Sequence, residues 1–103
     1  MPPSTTRPSE VVDRHRQAIR DIVRRHDGVN PRIFGSVARG EDTATSDLDL
    51  LVDHGAERAL SLFDLASIDL EVGALLNIPV QTLTPASLPP KVRAIVEREA
   101  IPL

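Results

Sequence analysis

The sequence predicts an α+β domain, a small mixed β-sheet flanked by helices. Three observations predict it. Apolar residues recur at helical spacing in three separate stretches, and short aliphatic runs bounded by Gly, Asn or Pro lie between them. The order is helix, strand, strand, helix, strand, helix, which suits one sheet covered by helices. At 103 residues and 41% hydrophobic content, the chain is long enough for one core. Only two of its residues are aromatic, both Phe, so that core must be aliphatic.

Met1 to Pro8 holds three prolines among Ser and Thr and is expected to be a flexible or extended lead-in, with the domain spanning residues 9–103. Ser9 is a candidate N-cap. Val11, Val12, His15, Ile19, Ile22 and Val23 then form a helical stripe, with Arg14, Arg20, Arg24 and Arg25 outside it. Gly28 is expected to end this helix, and Asn30-Pro31 to turn the chain into a first strand, Arg32 to Phe34. Asp47 to Val52 reads as the second strand. So short an excursion between the two makes them antiparallel. Ser61 with Asp64 has the capping-box pattern, opening a helix with the stripe Leu62, Leu65, Ile68, Val72 and Leu75 or Leu76. Gly73 weakens that helix locally, and it should end near Asn77. Pro79 to Thr84 is the third strand. Pro89-Pro90 opens the last helix, with Val92, Ile95 and Val96 as its buried side.

The chemistry concentrates in Gly35-Ser36, ten residues, then Asp47-Leu48-Asp49. Successive strand side chains face opposite ways, so Asp47 and Asp49 share one face while Leu48, Leu50 and Val52 share the other. Two carboxylates roughly 6–7 Å apart repel unless a cation sits between them. Mg²⁺ fits, since it takes oxygen ligands and commonly combines one or two carboxylates with substrate phosphates. Gly35 permits unusual backbone angles and a close approach. Ser36 offers a hydroxyl, and Arg39, one helical turn on, offers a guanidinium suited to phosphate. Phosphate donors beside a metal pair are the parts needed for phosphoryl or nucleotidyl transfer. The four fixed residues would meet by chance in roughly one chain in a thousand of this size.

Gly35-Ser36-(ten residues)-Asp47-x-Asp49 resembles the signature of the DNA polymerase β-like nucleotidyltransferases. Gly-Ser-x-Ala-Arg-Gly…Ser-Asp-x-Asp-Leu in so short a chain is similar to the minimal nucleotidyltransferase (MNT) group. The similarity runs from about Ile19 to Leu103 and includes the closing Arg98-Glu99-Ala100-Ile101-Pro102-Leu103. The resemblance implies the polymerase β-like core and a prokaryotic antitoxin paired with a HEPN-domain toxin in a hetero-oligomer. It implies transfer of AMP from ATP to a hydroxyl, a tyrosine of that toxin. Asp47 and Asp49 would be catalytic and hold Mg²⁺, and Gly35, Ser36 and Arg39 would bind the nucleotide. One departure stands out. Family members carry a third acid on the strand after the long helix, where this chain has Gln81 in Val80-Gln81-Thr82-Leu83-Thr84. A neutral amide binds Mg²⁺ more weakly than a carboxylate and cannot act as a base.

Other features are set aside. Asp69 and Glu71, and Glu41 and Asp42 in the motif loop, read as solvated surface charge. His15 falls on the first apolar stripe, and no histidine pair has metal-ligand spacing. The net charge of −3 and the scarcity of aromatics argue against broad nucleic-acid binding, and so against nucleotidyl transfer to RNA. No cysteine is present, the N-terminus lacks an apolar signal core, and no apolar run reaches the ~20 residues of a membrane span. The expected location is the cytoplasm. A second reading keeps the fold but loses the chemistry: Gln81 would mark an antitoxin that acts by binding alone, aided by an exposed apolar patch.

Overall fold

The computed structural model describes residues 7–103. The elements in order are α1 (Pro8–Arg14), α2 (Arg16–Arg25), β1 (Gly28–Phe34), β2 (Leu48–His54), α3 (Leu62–Leu76), β3 (Val80–Leu83), a single 3₁₀ turn (Pro85–Ser87), α4 (Pro90–Glu99) and β4 (Ile101–Pro102). The sheet order is β3-β2-β1-β4. β1 pairs antiparallel with both β2 and β4, while β2 and β3 run parallel across the α3 crossover. The expected α+β domain with a mixed sheet is therefore present, and β1 and β2 are antiparallel as expected.

The core lies between one face of the sheet and helices α1 to α3. Leu48, Leu50 and Val52 of β2 and Ile33 of β1 meet Val12, Ile19, Ile22, Val23, Ile68, Val72 and Leu76. The period-2 face of β2 and the helical stripes thus close on each other. Leu51, on the other face of β2, is also fully buried, and Val96 of α4 is nearly so, though neither joins this cluster. Ser61 caps α3 reciprocally: its hydroxyl accepts from the Asp64 N–H at 3.2 Å, and the Asp64 carboxylate accepts from the Ser61 N–H at 2.7 Å. Asn77 ends α3 in the left-handed region, φ 57°. Among the described residues, no helix is long and apolar enough to cross a membrane.

Several expectations are corrected. The first six residues of the expected lead-in lie outside the described residues, but Arg7 and Pro8 join the fold, with Pro8 buried as the first residue of α1. The first helix is two helices, broken at His15. There the His15 N–H turns back to the Val12 carbonyl, and its ring bonds the Val11 carbonyl at 2.9 Å. The first strand starts at Gly28, not Arg32. A bulge between Val29 and Arg32 lets Asn30-Pro31 sit inside β1, where an absent Pro N–H costs no ladder bond. Leu62 is 84% exposed, and Val92 and Ile95 are 43% and 48% exposed, so the buried sides of α3 and α4 are narrower than expected. A four-stranded sheet offers each helix about one stripe of cover. Helices apolar on more than one face leave the remainder in solvent.

Leu50 is fully buried at the centre of the sheet. Leu50→Ala is expected to cost about 2–5 kcal/mol of stability, read as a lowered denaturation midpoint at unchanged slope.

Candidate active site

β1 ends at Phe34, and the chain turns sharply at Gly35, which holds φ +74°. The segment from Gly35 to Gly40 then coils back on itself. The Arg39 N–H reaches the Gly35 carbonyl at 3.1 Å, and the Glu41 N–H reaches the Ser36 carbonyl at 2.9 Å. Val37, buried in the core, anchors this turn to the domain. Ser36 stays half-buried beside it.

Asp49 lies in β2, one residue into the strand. The register sets it between Phe34 of β1 and Gln81 of β3, all in one row across the sheet. Gln81 therefore occupies the place expected for the third acid. Asp47 falls just before β2 rather than within it, and is exposed. The Leu48 N–H pairs with the Pro79 carbonyl at 2.9 Å and fixes where the strand begins. The Asp49 carboxyl is pushed up from the usual carboxylate range, first by burial and then by the negative charge of Asp47, with Arg39 pulling the other way. Asp47 and Arg39 thus act on Asp49 in opposite directions through space.

Gly35 and Asp49 are in direct contact. A Cβ placed on Gly35 would sit 2.4 Å from Asp49 Oδ2. The turn that offers phosphate donors and the strand that offers carboxylates are packed together only because residue 35 has no side chain.

Arg39 is placed beside this pair but is already engaged. Its Nε donates to Glu41 at 2.5 Å, and one terminal nitrogen approaches Glu99 of α4 at 3.5 Å. Sequence reading missed Glu99, since nothing local ties α4 to the turn. It also misjudged Asp42, which is 4% exposed rather than solvated. Asp69 is likewise not a free surface charge. Burial raises its carboxyl beside Thr82, and its Oδ1 is buried without a hydrogen-bond partner among the described residues. Thr82 pairs with Leu50 on the core face, so Asp69 lies across the sheet from Asp49 and cannot replace the missing acid. Glu71 pairs with Arg25 and His26 on α2 and its C-terminal end. Two surface cavities, of about 390 and 310 Å³, are lined elsewhere, around Gly28, Gly55 and Arg58, and around His54, Thr84 and Arg93.

The donor set has a definite preference. Among the described residues, no group of three or more His, Cys, Asp or Glu is placed to hold a metal ion. Asp47 and Asp49 supply hard oxygen ligands that repel each other, with Arg39 partly offsetting the repulsion, and Gln81 supplies at most a neutral carbonyl. Such a set fits a divalent cation that brings further oxygen ligands with it, as a phosphate-bound Mg²⁺ does.

These features are those of a nucleotidyltransferase. The nucleotidyltransferase domain family matches residues 13–103, and the chain belongs to it. Two proteins of Methanocaldococcus jannaschii, each named putative protein adenylyltransferase, are similar to it. One is 36% identical over 78% of this chain and 84% of its own length, the other 31% over 89% and 90%. A solved structure described as a putative minimal nucleotidyltransferase superposes with a TM-score of 0.80 at 42% identity, covering 92% of this chain and 95% of that one. A second, described as a toxin-antitoxin with AMP-PNP, shares the fold with a TM-score of 0.72 at 17% identity, covering 84% of this chain and 69% of that one.

Gly35→Ala and Asp49→Ala test the contact that joins the two halves. Gly35→Ala alone is expected to cost about 1–3 kcal/mol, from its positive φ and from collision with Asp49. In the double variant only the residue 49 Cβ remains, at 3.7 Å from the new methyl group, an ordinary contact. The two stability losses, measured by urea unfolding, should therefore sum to more than the loss of the double variant.

Proposed function

We propose that this protein transfers AMP from ATP to a hydroxyl of a partner protein, a tyrosine of a HEPN-domain toxin, and so acts as an antitoxin in the cytoplasm. The observation that carries the reading is the contact of Gly35 with Asp49, which sets the Gly35-Ser36 turn directly against an acid of the motif. The names of the M. jannaschii relatives support a protein acceptor. The toxin-antitoxin structure that shares the fold supports a toxin partner and an ATP-like ligand.

In this reading the backbone of the Gly35 turn and the Ser36 hydroxyl bind the triphosphate. Arg39 leaves Glu41 and Glu99 to counter its charge. Asp47 and Asp49 hold Mg²⁺, which when bound polarises the α-phosphate and stabilises the departing pyrophosphate. The acceptor oxygen attacks the α-phosphorus, a new P–O bond forms, and the bond to the pyrophosphate oxygen breaks. With Gln81 neutral beside Asp49, no third carboxylate takes the hydroxyl proton, and solvent receives it.

Intact-mass measurement of the toxin after incubation with this protein, ATP and Mg²⁺ tests the proposal. Addition of AMP units, abolished by Asp47→Asn with Asp49→Asn, is the expected result. Transfer retained in that variant would remove the acids from the mechanism. Gln81→Asp restores a third carboxylate in register with Asp49. It is expected to tighten Mn²⁺ binding without nucleotide by about tenfold, read by calorimetry.

A second reading is favoured by one specific observation. Leu62, Phe63 and Leu70 of α3 are 84%, 86% and 75% exposed, more than a solvated helix face needs. A binding antitoxin would use such a face. Phe63→Glu with Leu70→Glu should then weaken toxin capture at least about tenfold at unchanged melting temperature. If toxin inhibition survives loss of both aspartates but not loss of this face, the protein neutralises by contact.

A further inference from the structure

The turn and the acid pair are joined by a loop that has almost nothing to hold it. Of residues 39–47, Asp42 alone is buried. On either side of Asp42 the chain is locally closed. Upstream, the Glu41 N–H bonds the Ser36 carbonyl at 2.9 Å. Downstream, the Thr43 N–H bonds Ser46 Oγ at 2.8 Å, and the Ser46 N–H returns to the Thr43 carbonyl at 3.0 Å, just before Asp47. Two small turns, one carrying Ser36 and the other leading into Asp47, therefore meet at Asp42.

Asp42 is gripped from the N-terminal end of the domain. Its side chain is fully covered. Oδ1 accepts from a terminal nitrogen of Arg7 at 3.0 Å, and Oδ2 accepts from the Ser9 backbone N–H, in the first turn of α1, at 2.9 Å. The same Arg7 nitrogen lies 3.4 Å from the Gly40 carbonyl, so one guanidinium spans both sides of Glu41. Burial alone would raise the Asp42 carboxyl, but these donors outweigh it and hold the group down at about 2. A buried charge is tolerated only where its partners are in place, so the contact specifies one geometry for the loop.

We infer that Asp42 is a positioning residue for the nucleotide site: clasped by Arg7 and the first turn of α1, it sets the Ser36 turn and Asp47 in fixed relation to each other. The inference rests on the nucleotide reading given above. Asp49 and Gly35 are held by the sheet and do not need the clasp. Ser36 and Asp47 lie outside the strands: the buried Val37 anchors the Ser36 turn, and the clasp sets Asp47 relative to it.

The test is Mg-ATP binding to the full chain by calorimetry, alongside its melting temperature. Arg7→Ala and Asp42→Asn are each expected to weaken binding about tenfold at a temperature where both variants are folded, since preorganisation of the site is lost. The double variant should be no weaker than the worse single, because one contact is removed twice. Arg7→Lys should recover part of the affinity. Asp13→Asn, which breaks the exposed Asp13–Arg16 pair at the other end of α1, should change nothing. Amide exchange should quicken at residues 43–47 and not in β2. Should Asp42→Asn fail to fold, Arg7→Ala carries the test, since that side chain is 43% exposed. Unchanged affinity in folded variants, whatever their melting temperature, would overturn the positioning role while wild-type binding kept the nucleotide reading. A wild-type chain that binds no Mg-ATP would overturn both.

Discussion

A carboxylate oxygen occupies the space where any residue but glycine at position 35 would put its β-carbon. Most of the site follows from that contact. The Asp49 backbone is fixed, because β2 is paired on both sides, with β1 and with β3. Gly35 cannot move away, because β1 ends one residue earlier and Val37 is buried two residues later. The apolar face of β2 lies behind this contact, so the core that holds the sheet together also holds the turn against the acid.

The charges around this contact are arranged in opposition. Asp47 and Asp49 repel, and burial makes the repulsion cost more. Arg39 is the cation within reach, yet Glu41 and Glu99 compete for it. The site thus sets an acid pair beside a cation that is held by other acids. A ligand carrying both a divalent ion and phosphates would relieve both at once. Gln81 shifts that balance by one charge, making the site more dependent on what the ligand brings.

Much of this was legible locally. The spacing from Gly35-Ser36 to Asp47 and Asp49 announced the site. The Ser61–Asp64 capping box and the left-handed end at Asn77 bounded α3. A short, mostly polar loop, residues 41–46, between two apolar runs pointed to an antiparallel pair. Other features depend on partners far along the chain. His15 breaks a continuous apolar stripe because its own ring takes a backbone carbonyl. Asp42 looks like surface charge until Arg7, 35 residues earlier, is folded over it. β4 exists only because the C-terminal residues return to the free edge of β1. Leu62, Val92 and Ile95 belong to apolar patterns wider than the faces that this small domain buries.

By itself, the sequence determined most of the elements, the inward face of β2, and the residue types of the candidate site, because these depend on backbone periodicity, turn chemistry and short spacings. The tertiary structure decided which carboxylates are solvated and which are held. Asp42 became buried and Asp69 half-buried, Arg39 became paired, and Gln81 came into register with Asp49. Burial and charge pairing are set by neighbours in space, and a stripe or spacing along the chain does not specify which neighbour will arrive.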